Sequence, residues 1–301
     1  MQYIFPDYYQ EFQCIADQCR HNCCIGWEID IDDEKAAFYR SQPAICEKIC
    51  WDDQPHFILG ENERCPFLTD QNLCQLIINY GEDSLCGICA DHPRFRNELP
   101  GRVEVGLGLA CEEAARLILG RQTPMKLTDV APSDDEIIQL RDEILLALQD
   151  PRYPLLQRIQ TMLALCQTQI SYIPWDEWID LLISLERLDP AWTQLLQTAA
   201  DLPEYLTDFD RYMADRQHEY QQFLVYLIYR HFANAYDRED AACRALFAGY
   251  AYQLLRIMGA VIWHQTGAFT FEQQVELARM FSAEIEYSDE NLDIILDELA
   301  F

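Results

Sequence analysis

Positive charge is scarce in this chain of 301 residues. Its 22 lysine and arginine residues stand against 51 aspartate and glutamate residues, so the formal net charge is −29 at pH 7. A protein that binds the phosphate backbone needs a basic surface, and the composition therefore predicts that nucleic acid is not a partner. An acidic surface keeps a protein soluble, and it also permits a basic substrate such as a lysine-bearing protein.

Two kinds of apolar segment are missing as well. No apolar run approaches the ~18 residues that a membrane helix needs, so the sequence predicts no membrane partner. Residues 1–13 contain neither a basic segment nor the apolar core of a secretory signal. We therefore expect a cytoplasmic protein, whose thiols are kept reduced.

Strand patterns are absent after residue 121, and the chain has no internal repeat. Prolines instead separate a series of helical segments, several of which begin with capping residues such as Ser133–Glu136, Asp150–Pro151 and Thr270–Gln273. The segment from about Asp240 to His264 is apolar nearly all round, which predicts a central buried helix. The sequence thus predicts a mainly α fold, in which a cysteine-rich, metal-organised region (1–120) with little regular structure packs on an all-α domain (121–301).

All but two of the 13 cysteines lie between Cys14 and Cys111. Clustered cysteines form disulfides or bind metal, and reduced thiols in the cytoplasm favour metal. Nine of them fall in tight groups and are the predicted metal ligands: Cys14, Cys19, Cys23, Cys24, Cys65, Cys74, Cys86, Cys89 and Cys111. Both a structural zinc and a 4Fe–4S cluster take four ligands. The nine thiols therefore allow two sites, or one site with spare thiols, and the adjacent Cys23–Cys24 pair favours iron–sulfur over zinc.

Two further features have alternative interpretations. Cys46 and Cys50 are predicted at positions i and i+4 of a helix that begins at Pro43, where they are either a metal-binding pair or, as we favour, buried structural cysteines. His231 lies on an apolar face of a helix predicted from about Asp215 to Asn234. We interpret it as a core histidine rather than a functional one.

The spacing of the cysteines and their neighbours resembles that of the flagellin lysine N-methylases. The resemblance covers about residues 7–120 and rests on five motifs: Asp7-Tyr8-Tyr9-x2-Phe12-x-Cys14, Cys23-Cys24-Ile25-Gly26-Trp27, Cys65-Pro66-Phe67-Leu68, Leu85-Cys86-x2-Cys89-x2-His92-Pro93-Arg94-Phe95, and Glu104-Val105-Gly106-Leu107-Gly108-Leu109-x-Cys111-Glu112-Glu113-Ala114-Ala115-Arg116-Leu117. It implies an iron–sulfur cluster, S-adenosylmethionine as methyl donor, and flagellin lysines as acceptors.

Independent signs of a methyl-donor site are missing. The glycine-rich stretch Glu104–Ala110 lacks the third glycine of a nucleotide-binding loop, and Gly26 stands where a radical S-adenosylmethionine motif needs its third cysteine. The sequence therefore predicts no catalytic or donor-binding residue. The leading hypothesis is an S-adenosylmethionine-dependent protein lysine N-methyltransferase with an iron–sulfur cluster. The alternatives are a non-catalytic zinc or iron–sulfur module with a partner-binding helical domain, and a redox protein.

Overall fold

A computed structural model describes residues 1–128, 133–168 and 173–300. The chain forms two compact units, each assembled from separate segments. The cysteine unit comprises Gln13–Phe95 and Cys111–Glu113, and the helical unit comprises Met1–Phe12, Arg96–Ala110 and Ala114–Phe301. Residues 1–12 and 96–110 thus join the helical unit, while the predicted domain boundary between residues 120 and 121 stays a prediction.

Helices dominate the described residues, which confirms the predicted mainly α fold. The α-helices are α1 Asp33–Arg40, α2 Pro43–Cys46, α3 Gln75–Tyr80, α4 Gly87–Asp91, α5 Glu112–Leu119, α6 Glu136–Leu148, α7 Leu155–Leu165, α8 Trp175–Ser184, α9 Pro190–Thr198, α10 Leu206–Tyr212, α11 Gln217–His231, α12 Arg238–Thr266, α13 Phe271–Phe281 and α14 Asp289–Glu298. The strands are β1 Gln2–Ile4, β2 Ile49–Cys50, β3 His56–Phe57, β4 Arg94–Leu99 and β5 Arg102–Leu107.

The cysteine unit is built from short elements around a small apolar core. Asp32 caps α1, and its carboxylate accepts hydrogen bonds from the backbone N–H groups of Lys35 and Gly87 at 2.9 and 2.7 Å. One side chain thus joins the start of α1 to the start of α4. The core comprises Ile29, Ile31, Ala36, Tyr39, Ile45, Ile49, Phe57, Cys65, Phe67, Leu76 and Cys86.

The predicted helix carrying both Cys46 and Cys50 is wrong. Helix α2 ends at Cys46, and Cys50 lies in β2, which pairs with β3 in an antiparallel hairpin. Ile49 and Phe57 face the core from this hairpin, so their burial favours extended pairing over another helical turn.

A three-stranded sheet has the order β1-β5-β4, and from Arg96 onward its strand β4 belongs to the helical unit, as β1 and β5 do. Strand β1 runs parallel to β5, with Gln2 opposite Arg102. Every residue of β5 is buried, including the glutamate and arginine at its start. The glycine-rich stretch therefore lies largely in a core strand rather than in a ligand-binding loop.

Helix α12 is the buried central helix that the sequence predicts. The Asp237 side chain caps its first turn by accepting from the N–H groups of Glu239 and Asp240, and Gly267 ends it in the left-handed conformation at φ 77°. Among the described residues, α12 is long and apolar enough to cross a membrane, but 78% of its most apolar window is buried within the protein. Such burial is what the core helix of a folded domain shows.

Candidate metal centre and candidate active site

Five of the nine predicted ligands gather around the core of the cysteine unit. Cys65 and Cys86 are buried in that core, and Cys24, Cys74 and Cys89 pack against it. The Cys65 N–H donates to the Cys24 carbonyl at 2.8 Å, so backbone pairing brings two distant segments together. Cys86 precedes α4 as its N-cap and Cys89 is its third residue, which places both thiols at one helix end.

Two pairs of neighbouring thiols are hydrogen-bonded, Cys86 with Cys89 and Cys23 with Cys24. The Cys89 thiol donates to Cys86 and lowers the pKa of Cys86 to about 7, and Cys24 acts in the same way on Cys23. The pKa of each donor, Cys89 and Cys24, is in turn raised. Burial raises the pKa of Cys65 to about 11. A thiolate therefore forms readily in each pair, whereas a second thiolate needs a cation in place of the shared proton.

The remaining predicted ligands are Cys14, Cys19, Cys23 and Cys111, and Cys19 contacts Glu112, a buried residue that follows Cys111 in the chain. The Glu112 carboxylate accepts from the backbone N–H of Arg20 at 3.0 Å and pairs with its guanidinium at 2.9 Å. Cys19 lies 3.8 Å from the same carboxylate, within the electrostatic reach of Cys14 and Cys23. Glu112 thus ties the first cysteine group to the segment that carries Cys111. Ligation by any of the nine stays a prediction.

Four cysteines lie elsewhere. Cys46 and Cys50 belong to α2 and β2 and are only half-buried, so the interpretation of both as buried cysteines is wrong. Cys166 and Cys243 are buried in the helical unit, where both line a cavity of about 310 Å³. The sequence separates these two from the clustered cysteines, and the structure places them in a different compact unit.

The helical unit encloses a polar network that sequence reasoning missed. The Tyr226 hydroxyl donates to Glu286 at 3.1 Å and accepts from Arg230 at 2.6 Å and from the Leu109 N–H at 3.3 Å. The other oxygen of Glu286 lies 2.6 Å from His231 Nε2. Tyr226 and Glu286 are almost completely buried, and Glu286 ends a π-helical turn, Ser282–Glu286. Turns of this kind recur at functional sites.

The charges in this network are fixed by their neighbours. Burial opposes ionisation of Glu286, but Arg230 and His231 outweigh it and lower the pKa of the carboxyl. Burial lowers the pKa of His231, with help from Arg230 and Arg244, against the opposing effect of Glu286. The network thus combines an ionised carboxylate with a neutral imidazole that is oriented by it, a pairing that recurs in general acid–base catalysis.

The sequence signal for this network is a polar triplet inside an apolar helix. Tyr226, Arg230 and His231 lie at i, i+4 and i+5 of α11. The apolar residues around them led the sequence analysis to interpret this helix face as core packing. Glu286 is 55 residues away from His231 and carries no motif. Our interpretation of His231 as a packed core residue is right about its burial, but does not include its carboxylate partner.

A second buried ion cluster supports β5. Glu104 pairs with Arg102 at 2.7 Å and with Arg141 of α6, and all three side chains are buried. Tyr229 donates to the Val105 carbonyl at 3.1 Å, so α11 is also bonded to this strand. The cluster explains how a glutamate within the quoted motif is kept in the interior.

Removing one hydroxyl tests whether the Tyr226 network is bonded as described. We expect Tyr226→Phe to lower the free energy of unfolding by about 1–3 kcal/mol, because it leaves a buried carboxylate and N–H with fewer partners. Tyr220 is the matched control, since it is equally buried on α11 and its hydroxyl has no hydrogen-bond partner among the described residues. Tyr220→Phe should leave stability unchanged or raise it. Urea denaturation of both variants measures this, and equal losses would contradict it.

These features define a class: a mainly α protein with a thiol-rich centre and a separate buried acid–base network. A sequence profile of the FliB lysine N-methylase C-terminal domain matches residues 135–301. Because the match covers more than half of the chain, the chain belongs to the FliB lysine N-methylase family. This confirms the family that the sequence resembles, and the matched segment holds Tyr226, Arg230, His231 and Glu286.

Individual relatives match over a shorter length. A lysine-N-methylase of Salmonella typhimurium is 29% identical over 139 residues, which are 41% of this chain and 34% of that protein. The flagellar biosynthetic protein FliU of Salmonella muenchen is 27% identical over 136 residues, 40% of this chain and 79% of FliU. The match thus spans about a third of the lysine-N-methylase. No solved structure matches the chain.

Proposed function

We propose that this protein is a cytoplasmic, S-adenosylmethionine-dependent protein lysine N-methyltransferase that carries an iron–sulfur cluster and methylates flagellin. The observation that carries the proposal is the match of residues 135–301 to a lysine N-methylase domain. That domain contains the buried His231–Glu286 pair. The name of the FliU relative supports a flagellar acceptor.

The reaction sets two requirements for the protein. A bond forms between the lysine nitrogen and the methyl carbon, while the bond between that carbon and the sulfonium sulfur breaks and leaves its electron pair on sulfur. The lysine must be neutral to attack, so its extra proton must pass to an acceptor. The donor is cationic and the lysine is cationic before that proton leaves, so negative charge favours the binding of both.

In the described part of the chain, His231 and Glu286 are our candidates for the proton acceptor and the group that orients it. When His231 Nε2–H donates to the Glu286 carboxylate, Nδ1 holds the lone pair that accepts a proton. Glu286 then stabilises the imidazolium, and Tyr226 and Arg230 hold Glu286 in place through the bonds given above. The ring of His231 keeps about 8% of its surface exposed, whereas the Glu286 side chain has none. We therefore assign proton acceptance to His231 and its orientation to Glu286.

The cysteine unit fits an iron–sulfur cluster by its donor set. Its core gathers five thiols: Cys24, Cys65, Cys74, Cys86 and Cys89. A 4Fe–4S cluster and a structural zinc each take four thiolates. The five thiols are therefore enough for either metal centre. The bound cluster would link separate segments and supply a redox-active centre. Cys14, Cys19, Cys23 and Cys111 are the candidates for a second site.

Flagellin methylation is the direct test. Protein that was purified anaerobically should transfer methyl groups from S-adenosylmethionine to lysines of flagellin, seen by peptide mass spectrometry as increments of one methyl group. The net charge of −29 should attract lysine-bearing substrates, so added salt should raise KM for flagellin more than KM for a free lysine peptide.

Two controls separate the outcomes. Flagellin whose lysines have been chemically blocked should gain no methyl groups, and protein without donor should give none. If flagellin stays unmodified while another lysine-bearing protein is methylated, flagellin is not the acceptor. If the protein does not bind the donor in calorimetry, methyl transfer is ruled out and a non-catalytic metal module explains the chain better.

A further inference from the structure

The hairpin of the cysteine unit brings three metal-binding groups together outside the clustered cysteines. Cys50 in β2 lies directly opposite His56 in β3, and Asp52 is in the turn between them. Directly opposite residues in an antiparallel pair project from the same face of the sheet. One sulfur, one carboxylate oxygen and one imidazole nitrogen of these residues all lie within 4.8 Å of one another.

Two distances from the Asp52 carboxylate, one to each neighbouring ligand, are close to those around a tetrahedral ion. Cys50 Sγ is 3.3 Å from Asp52 Oδ2, and His56 Nδ1 is 3.7 Å from Asp52 Oδ1. Zinc bonds of about 2.3 Å to sulfur and 2.0–2.2 Å to nitrogen or oxygen, at tetrahedral angles, put neighbouring ligand atoms roughly 3.3–3.6 Å apart. Small side-chain rotations would bring the three atoms onto one ion.

The backbone holds the hairpin from both sides. The Ile31 N–H donates to the Pro55 carbonyl at 2.8 Å, and the Ile58 N–H donates to the Lys48 carbonyl at 3.0 Å. The Gln54 carbonyl oxygen lies 3.0 Å from His56 Nδ1 and orients the ring before an ion binds, and binding through Nδ1 would exchange this hydrogen bond for the ion. A fixed turn lowers the entropy that an ion must overcome to order its ligands.

One carboxylate oxygen of the half-buried Asp30, beside the hairpin, is buried without a hydrogen-bond partner among the described residues. Asp30 pairs with His56 in an isolated antiparallel bridge, so Asp30, His56 and Cys50 stand side by side across three segments. Asp30 Oδ1 is buried and has no hydrogen-bond partner among the described residues. Leaving such an oxygen without a donor or a cation costs free energy.

We propose that Cys50, Asp52 and His56 form a zinc site, with Asp30 or water as the fourth ligand. Zinc binds thiolate and imidazole ligands, and a carboxylate completes many zinc sites. Three protein ligands leave a position for water, so the site can also exchange its ion. It is separate from the clustered cysteines in both sequence and ligand type.

Zinc titration of the whole protein tests the site independently of methyl transfer. The protein is isolated anaerobically so that its clustered cysteines keep their own metal, and zinc is then added in competition with a coloured chelator. Wild type should bind one more zinc than His56→Ala. Asp52→Asn should weaken that zinc about 100-fold or more, since the loss of even an outer-shell partner costs 10–100-fold. Asp30→Asn should show a smaller loss.

Asp53→Asn is the matched control, because Asp53 is the exposed neighbour of Asp52 and is not one of the groups that line the site. It should bind zinc as wild type does. The side chains of His56 and Asp52 are 27% and 57% exposed, so their variants should keep wild-type circular dichroism without added zinc. Full zinc stoichiometry and affinity in His56→Ala would overturn the proposal, whatever the methylation assays show.

Discussion

Replacing Glu286 by glutamine is expected to lower kcat for methyl transfer about 100-fold or more. The amide keeps the shape and a hydrogen bond to Tyr226, but it cannot stabilise a protonated His231. KM for the methyl donor should change much less, because the assigned role is in the transfer step. Glu286→Asp should recover part of the activity, since it restores the charge. Steady-state kinetics of wild type and both variants, with flagellin or the best lysine-bearing acceptor, measures kcat and KM.

The pH profile separates this role from a structural one. Activity should fall as pH falls through the pKa of His231, because the base must be neutral. Burial lowers the pKa of His231, so this acidic limb should lie below 6.5, the ordinary value for histidine. Glu286 raises the pKa of His231, and Glu286→Gln should therefore move the limb to still lower pH.

Glu284→Gln is the control in the same π-helical turn. Glu284 is also buried, but its carboxylate accepts only from the backbone N–H groups of Leu188 and Asp189, at 2.9 and 2.7 Å, among the bonds described. The variant should lose stability and keep kcat within about threefold, which is under 1 kcal/mol in transition-state stabilisation. Equal losses of kcat in Glu284→Gln and Glu286→Gln would show that misfolding of the turn, and not the charge of Glu286, lowers the activity.

Helix ends in the second half of the chain show what local sequence predicts well. Thr270 and Gln273 form the predicted capping box at the start of α13, and the Ser288 side chain caps α14 in the same local way. These contacts form within one turn, so residue identity at fixed spacing is sufficient information. The central helix α12 is predicted for a related reason, because its apolar surface must be buried whichever partners surround it.

Two predicted helix starts were wrong because a nearby side chain forms a different hydrogen bond from the predicted one. Asp135, rather than Ser133, caps α6, since its carboxylate accepts from the N–H groups of Ile137 and Ile138. The Asp150 carboxylate binds Arg152 instead of opening a helix, and α7 begins five residues later, at Leu155. The predicted end of that helix near Gln169 lies outside the described residues. In both cases several acceptors compete within one turn, and propensity does not rank them.

In the candidate sites too, local features are predictable from the sequence and long-range contacts are not. Clustered cysteines are visible in the sequence because each group is local, as in Cys86-x2-Cys89. The pairing of His231 with Glu286, and of Tyr226 with Leu109, joins residues 55 and 117 positions apart. Helical periodicity shows only that these residues face inward. Which polar groups meet in the interior depends on how α11 packs against the π-helical turn and the end of β5, and no single-sequence pattern encodes that packing.

Replacing Cys65 or Cys86 by serine is expected to unfold the cysteine unit. Its longest helix, α1, has eight residues, too few for stability without packing or ligation. Metal binding to thiolates should therefore supply much of its folding free energy, on the order of 10 kcal/mol for a four-ligand site. Wild type isolated anaerobically should be brown, with about four irons per cluster, and each variant should lose both the colour and the iron. Limited proteolysis should then cut within residues 13–95.

Cys166→Ser and Cys243→Ser are the matched controls, because both thiols are buried but belong to the helical unit. Cys243 Sγ donates to the Leu299 carbonyl at 3.5 Å, a bond that a serine hydroxyl can replace. Both variants should keep wild-type iron and lose little stability. Severe unfolding in these two, with Cys65→Ser and Cys86→Ser unaffected, would place the metal away from the cysteine unit. Zinc in aerobically purified wild type would not contradict iron, since thiolates freed by cluster loss bind zinc readily. Colourless protein that carries only zinc after anaerobic isolation with iron supplied would make the centre a structural zinc site.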